Sequence, residues 1–191
     1  MTRPDPTNHQ AADRAAYVFK GHPMKTALLT TAFLACIIAA NYVTTELGMI
    51  PVGFGLVATA GTYLAGLTFV LRDSLQDAAG KRWTLAAIAA GAALSFLVSD
   101  PFIALASAVA FGLSEIADLA VYTPLRKRGY IRAAIASNIA GAIVDTIAFL
   151  WIAGFPIADA IAGQLVGKLA ITLVAVIAVA IIRANRKAVA A

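Results

Sequence analysis

Six apolar stretches, each of about bilayer-spanning length, decide what this chain can fold into. A hydrocarbon core of about 30 Å takes about 20 helical residues to cross. The sequence predicts such helices at residues 25–43, 52–71, 83–99, 102–122, 131–153 and 161–182. The chain is 61% hydrophobic, whereas roughly half of the residues in soluble domains are apolar. We therefore predict an all-α membrane protein, with a bundle of six transmembrane helices within residues 24–183.

The basic residues predict how this bundle is oriented. All but one of the 15 Lys and Arg residues lie in the terminal segments or in two of the predicted loops, around residues 72–82 and 126–132. Cytoplasmic loops retain Lys and Arg, so both termini are predicted to face the cytoplasm. The net charge of +5 then follows from membrane topology, and we expect no nucleic-acid partner. Residues 1–23 and 184–191 are predicted to be cytoplasmic tails, the first of them flexible.

Several kinds of site lack the residues they would need. The two histidines, His9 and His22, lie in the predicted tail, so an intramembrane Ser/His or zinc site has no imidazole. The single cysteine, Cys36, permits no intrachain disulfide. We expect no enzyme, no cofactor and no metal, although an aspartyl mechanism using Asp118 and Asp145 stays open. The sequence has no ATP-binding motif, so if the chain moves a solute, the process depends on ion coupling, intracellular consumption of the solute or a partner ATPase.

Four ionisable residues lie inside the predicted spans: Glu115, Asp118, Asp145 and Lys168. Such residues usually face a partner or a water-filled cavity. Asp145 comes roughly eight residues before the outer end of the fifth helix, and Lys168 roughly eight residues after the start of the sixth. Both therefore lie about 12 Å below the outer surface. We predict an ion pair, which either lines a substrate path or only clamps two helices together.

Other polar and aromatic residues extend this predicted site. One face of the fourth helix carries Phe111, Glu115, Asp118 and Tyr122. Ser137, Gly141, Asp145 and Phe149 repeat along the fifth helix, and Gly163 and Gly167 on the sixth are spaced for close helix packing. Asn41 either lines the same cavity or caps the first helix. The predicted substrate-binding residues are Asn41, Phe111, Glu115, Asn138, Asp145, Phe149, Gln164 and Lys168.

A second acidic group lies on the predicted cytoplasmic side. Asp73 and Asp77 are four residues apart, which places both carboxylates on one helical face, and Gly80 can end the helix in a positive-φ conformation. Asp118 lies near the same surface. We predict that these four residues form a cytoplasmic gating motif, with simple loop salt bridges as the alternative.

These motifs together resemble the queuosine-precursor transporter family, also called the vitamin uptake transporter family. The resemblance covers about residues 35–180 and depends on D-x-x-x-D-x-x-G at 73–80, the segments 107–118 and 145–149, Arg132, Ser137 and Lys168. It implies a six-helix protein of the bacterial inner membrane that imports a 7-deazaguanine for tRNA modification in queuosine biosynthesis. It also implies that Asp73 and Asp77 are the family's acidic pair, Asp145 its fifth-helix aspartate and Lys168 its sixth-helix lysine.

The chain departs from the family pattern at three positions. Asp77 and Ala78 stand where the family usually has Glu and Tyr, and Ala142 where it often has Gln. The loss of an amide beside the predicted site could change which base is accepted.

A ligand of this kind matches the residues of the predicted site. The Watson–Crick edge of a deazaguanine presents adjacent N–H donors, which one carboxylate can accept together. Its ring can stack on an aromatic side chain. The predicted acceptor is Glu115 or Asp145, with Lys168 neutralising Asp145. The predicted stacking ring is Phe111, Phe149 or Trp151. The predicted contacts to the carbonyl are Asn138 and Gln164.

Two other functions stay open at the level of sequence. One is the substrate-binding subunit of an energy-coupling vitamin importer, and the other is a membrane scaffold or small pore without transport. The expected partners are the lipid bilayer and a small deazapurine, and a homodimer through the face of Gly163 and Gly167 is an open alternative.

Overall fold

The computed structural model describes residues 23–125, 127 and 130–189. Over these residues the elements are α1 (Pro23–Leu47), β1 (Met49–Gly53), β2 (Leu56–Thr59), α2 (Thr62–Ala79), α3 (Lys81–Val98), α4 (Pro101–Leu125), α5 (Tyr130–Ile152) and α6 (Ile157–Val189). The predicted class, a membrane protein built from six helices, is confirmed. The predicted flexible tail lies outside the described residues except for Pro23. Much of the predicted C-terminal tail continues α6 as helix.

Successive helices run antiparallel, because each connection is short. We call the end where α2 meets α3 and where α4 leads towards α5 the basic end. There the Trp83 indole N–H donates to Thr30 Oγ1 over 3.0 Å. The opposite end, which carries the β-hairpin, is the hairpin end, where the backbone N–H of Asp100 donates to Thr45 Oγ1 over 2.9 Å. These two bonds tie α1 to its neighbours at both ends of the bundle.

The outer surface of the bundle is apolar. Four helices are long and apolar enough to cross a membrane: Pro23–Leu47, Lys81–Val98, Pro101–Leu125 and Ile157–Ala175. Large apolar side chains such as Leu97, Phe102 and Trp151 point outwards and are exposed. Lipid rather than water suits such a surface, since soluble proteins rarely expose large contiguous apolar patches. The chain is therefore a multi-pass membrane protein.

A β-hairpin replaces the first part of the predicted second helix, so the prediction of a helix over 52–71 was wrong there. β1 and β2 pair antiparallel, with Met49 opposite Thr59. At the tip, Gly53, Phe54 and Gly55 all have positive φ. Glycine adopts such angles without steric cost, which is why the chain reverses here, and α2 begins only at Thr62.

α2 continues past residue 71, the end of the predicted span, as far as Ala79. Gly80, with φ of 83°, ends the helix as predicted, and its N–H donates to the carbonyl of Gln76. Arg72, which we predicted to lie in a loop, instead lies within α2 with only 8% of its surface exposed. The basic end therefore includes one arginine that is buried in the bundle.

Glycines let β2 pack closely against α6, and let the turn after β2 pack closely against α1. A Cβ on Gly61 would overlap the carbonyl of Ala40, and one on Gly163 would overlap the carbonyl of Val57 in β2. Gly167 lies against Thr62 at the start of α2. The predicted GxxxG step is thus used within the chain rather than presented as a free face for a second copy.

Candidate functional site

A buried ion pair joins α5 to α6. Lys168 Nζ donates to Asp145 Oδ2 over 2.7 Å and to Thr146 Oγ1 over 3.0 Å. Lys168 is 3% exposed and Asp145 8%. The predicted pair is confirmed, and its position follows from antiparallel helices that carry both residues at the same depth. Each charge lowers the desolvation cost that the other would otherwise impose on the fold.

The pair borders a cavity on the hairpin side of the bundle, which we call the hairpin-side cavity. It encloses about 690 Å³, its open mouth included. Six of the eight predicted binding residues line it: Asn41, Phe111, Asp145, Phe149, Gln164 and Lys168. These six come from α1, α4, α5 and α6. Distant parts of the sequence therefore meet around one cavity that offers aromatic rings, amides and a carboxylate.

The hairpin supplies a polar wall of this cavity. Gln164 Nε2 donates to Thr59 Oγ1 over 2.9 Å, and Thr59 Oγ1 lies 3.2 Å from Thr62 Oγ1. Thr44 Oγ1 accepts from the backbone N–H of Gly61 over 3.0 Å. We did not predict Thr59 and Thr62, because we placed residues 52–71 in one apolar helix, and Thr44 falls just beyond the predicted first helix. Clustered glycines at 53, 55 and 61 were the available signal for a turn.

Asn41 differs from Gln164, the other side-chain amide that lines the cavity. Its side chain is 3% exposed, yet its Nδ2 has no hydrogen-bond partner. Buried polar groups in proteins are nearly always hydrogen-bonded. Asn41 therefore carries an unused donor in the wall of the cavity, well inside α1 rather than at its end, so it does not act as a helix cap.

A second, larger cavity opens on the basic side of the bundle, and we call it the basic-side cavity. It encloses about 2130 Å³, its open mouth included. Asp73, Asp77 and Asp118, three of the four residues of the predicted gating motif, line it together. Asn138 lines it as well, so the structure does not bring this predicted binding residue into the hairpin-side cavity. The gating role of the motif stays a prediction.

Arg72 and two phenylalanines form a partition between the two cavities. The rings of Phe69 and Phe111 stack with centroids 6.2 Å apart. The guanidinium of Arg72 lies 5.9 Å from the centre of the Phe111 ring, and its Nη1 lies 2.7 Å from Glu115 Oε1. Lys168 and Phe69 line both cavities. The two cavities therefore adjoin each other at this partition.

Glu115 belongs to this partition and does not line the hairpin-side cavity, so its predicted contact with a ligand there has no support in the geometry. Its Oε1 accepts no hydrogen bond even though Arg72 Nη1 is close, because the N–H groups do not point at it. We missed Arg72 as a partner by assigning it to a loop. A helix that stops at Gly80 places Arg72 about 12 Å inside its end, and that count was the available signal.

The predicted stacking residues also separate. Phe149 lines the hairpin-side cavity and lies 6.2 Å from Phe155 between ring centroids. Trp151, two residues further along α5, is 74% exposed on the outer surface. Trp151 therefore faces away from the cavity and cannot stack on a ligand within it.

A membrane-spanning helical bundle with a buried charge pair and two successive internal cavities has the architecture of a membrane transporter. Residues 96–182 match the model of a family described as "Putative vitamin uptake transporter". The family resemblance found in the sequence is thereby confirmed over α4, α5 and most of α6. The curated proteins and the solved structures contain no match to the chain. Over residues 35–95, which include Asp73 and Asp77, the resemblance stays a prediction.

Proposed function

We propose that this transporter imports a 7-deazapurine, 7-cyano-7-deazaguanine or a related queuosine precursor, across the bacterial inner membrane. The observation that carries the proposal is the hairpin-side cavity, whose lining includes the carboxylate of Asp145 and the rings of Phe111 and Phe149. Ionisable residues within membrane spans usually mark a substrate or ion path. A flat base with N–H donors on its edge complements this combination of groups.

Asp145 is the proposed acceptor for the base. A carboxylate oxygen can take more than one hydrogen bond, so Asp145 can hold Lys168 and still accept from the ring N–H and the neighbouring amino group of a deazaguanine. Charge-assisted bonds of this kind are about twice as strong as neutral ones. Lys168 balances the charge of the carboxylate and fixes its direction, while Phe111 and Phe149 bind the faces of the ring.

The proposed orientation places the basic end in the cytoplasm, with both termini on that side. Lys81 and Arg82 are exposed at the start of α3, and cytoplasmic segments retain such residues. The substrate then enters the hairpin-side cavity from outside, passes the partition at Arg72 and leaves through the basic-side cavity.

The test is uptake of radiolabelled 7-cyano-7-deazaguanine by cells that lack their own importer for it. Asp145→Asn removes the charge and one acceptor, so uptake falls by at least about tenfold, the loss expected for a charge-assisted bond of about 1.5–3 kcal/mol. Asp159→Asn is the matched control, because Asp159 is exposed at the start of α6 and its neutralisation leaves uptake unchanged. The amount of folded protein is measured for each variant by fluorescence-detected gel filtration.

Two results would contradict the proposal, and each removes a different part of it. Unimpaired uptake by Asp145→Asn removes Asp145 from the binding site. Failure of the unmodified protein to take up any 7-deazapurine removes the substrate class itself.

A further inference from the structure

The side-chain amide of Asn41 is buried in the wall of the hairpin-side cavity, and its nitrogen donates no hydrogen bond. Four buried side-chain atoms among the described residues lack a partner, and Asn41 Nδ2 is the one whose residue lines this cavity. Leaving a buried donor unsatisfied is unfavourable unless something else accepts from it. An acceptor on the ligand would satisfy it.

Several of the other polar side chains that line the cavity already use a donor within the protein. Gln164 Nε2 donates to Thr59, and Lys168 donates to Asp145 and Thr146. Thr68 Oγ1 donates to the carbonyl of Ala65 in its own helix over 2.6 Å. The Gln164 amide is therefore held by a bond within the protein, and Asn138 lies in the other cavity. Asn41 Nδ2, by contrast, has no partner among the described residues, so its donors are free for a ligand.

We propose that Asn41 determines specificity by donating a hydrogen bond to the ring carbonyl of the substrate. This inference rests on the proposed function. In a 6-oxo-7-deazapurine the carbonyl is next to the N–H that Asp145 accepts, so one edge of the base presents donors and an acceptor in sequence. Asp145 on α5 and Asn41 on α1 supply the complementary acceptor and donor from different helices around one cavity.

A site of this kind binds bases without the ring carbonyl more weakly than bases that have it. A ring that has a hydrogen atom there leaves the Asn41 donor buried and unpaired, and one that has an amino group places a donor against a donor. A site built around a hydrogen bond rejects ligands that cannot form it, because its own polar group is then left unsatisfied. The aromatic rings of the cavity bind any planar base and do not distinguish these ligands.

The test compares two ligands by isothermal titration calorimetry on the purified full-length protein. They are 7-cyano-7-deazaguanine and 2-amino-7-cyano-7-deazapurine, which lacks the carbonyl and with it the neighbouring ring N–H. The unmodified protein prefers the first by at least about 100-fold in Kd, because both Asn41 and Asp145 lose a partner in the second. In Asn41→Leu, a change of similar size, this preference shrinks by about 10- to 100-fold, the range expected for one buried donor. Asn41→Ser, a smaller change, serves as the second variant and shows the same reduction.

Thr68→Val is the matched control, since it too removes a buried polar group from the cavity wall, but one that is already bonded within its helix. It keeps the preference for the carbonyl ligand. A third ligand, 7-deazaguanine, keeps the carbonyl and lacks the nitrile. If the Asn41 variants lose affinity for the cyano ligand and none for 7-deazaguanine, Asn41 contacts the nitrile and the proposal is overturned.

Further outcomes separate this inference from the proposed function. If the unmodified protein binds both ligands and Asn41→Ser retains the full preference, Asn41 does not bind the carbonyl, while the proposed substrate class stands. If the unmodified protein binds no 7-deazapurine, both proposals fail together.

Discussion

Asp145 and Lys168 stabilise each other in a part of the bundle where a single unpaired charge is unfavourable. They lie 2.7 Å apart and are both buried. Removal of one partner from a buried pair leaves an uncompensated charge, which costs about 3–5 kcal/mol. We predict that Lys168→Met lowers the free energy of unfolding by about this amount. Circular dichroism of the purified protein in detergent, followed as denaturant is added, measures it.

The control is the double variant Asp145→Asn with Lys168→Met, in which no charge is left unpaired. It regains most of the lost stability, because replacing a whole buried pair with neutral groups is often close to neutral. Equal destabilisation of the single and double variants would show that the pair does not stabilise the fold in this way.

The pairs Asp145–Lys168 and Arg72–Glu115 show which contacts between single residues can be predicted from sequence. The Asp145–Lys168 pair follows from counting residues along two adjacent helices, since depth in an antiparallel pair is set by distance from their shared connection. The contact of Arg72 with Glu115 joins α2 to α4, which are not consecutive. Their meeting depends on how the helices are arranged around the cavity, and no local pattern fixes that arrangement. The free amide of Asn41 likewise depends on which partners packing brings near.

Among the elements, the hairpin depends on the absence of side chains where it meets the helices. A Cβ on Gly163 would overlap the backbone carbonyl of Val57, which cannot move aside as a flexible side chain could. We predict that Gly163→Ala destabilises the protein by about 1–3 kcal/mol, the usual cost of overpacking. The midpoint of thermal unfolding in detergent decreases accordingly.

Gly112→Ala is the matched control for this prediction. Gly112 lies within α4, and a Cβ there would meet nothing within 4 Å. Alanine is favoured over glycine in a helix by about 1 kcal/mol, so this variant is as stable as the unmodified protein or more so. If both variants behave alike, close packing of the hairpin against α6 contributes nothing to stability.

The helices could be predicted from hydropathy because crossing a bilayer requires a minimum length, and the predicted bounds of α3, α4 and α5 agree with the structure to within a few residues. The hairpin could not be found in this way. Residues 49–59 are apolar whether they form a strand or a helix, and average hydropathy carries no information on backbone conformation. Reading the glycines at 53 and 55 as turn residues would have been needed.

Over the whole molecule, the distribution of charge predicts which end faces the cytoplasm. Cys36 is the single cysteine, so Cys36→Ala gives a background in which one new cysteine can be placed at either end. We predict that Lys81→Cys reacts with a membrane-impermeant maleimide only after the inner face is opened, because its end carries the basic residues. Asp159→Cys, at the hairpin end, reacts in intact cells, and the reverse pattern would invert the topology.

The partition between the two cavities has to open if a solute is to cross the bundle. Phe69, Phe111 and the Arg72–Glu115 contact separate the compartments, yet Glu115 Oε1 accepts no hydrogen bond from the nearby guanidinium. The guanidinium and the carboxylate lie 2.7 Å apart, so opening the partition has to separate this ion pair. We predict that it parts and re-forms in each transport cycle.

A cross-link across the partition tests this. In the Cys36→Ala background, Arg72→Cys with Glu115→Cys is joined by a short reducible bifunctional thiol reagent. Uptake of 7-cyano-7-deazaguanine then falls to background and returns on reduction. Binding measured by calorimetry persists, because neither residue lines the hairpin-side cavity. Arg72→Cys alone, treated with the same reagent, shows the same uptake as before treatment. If the cross-linked protein transports at the rate of the reduced one, the solute does not pass between α2 and α4, and the two cavities are not stages of one path.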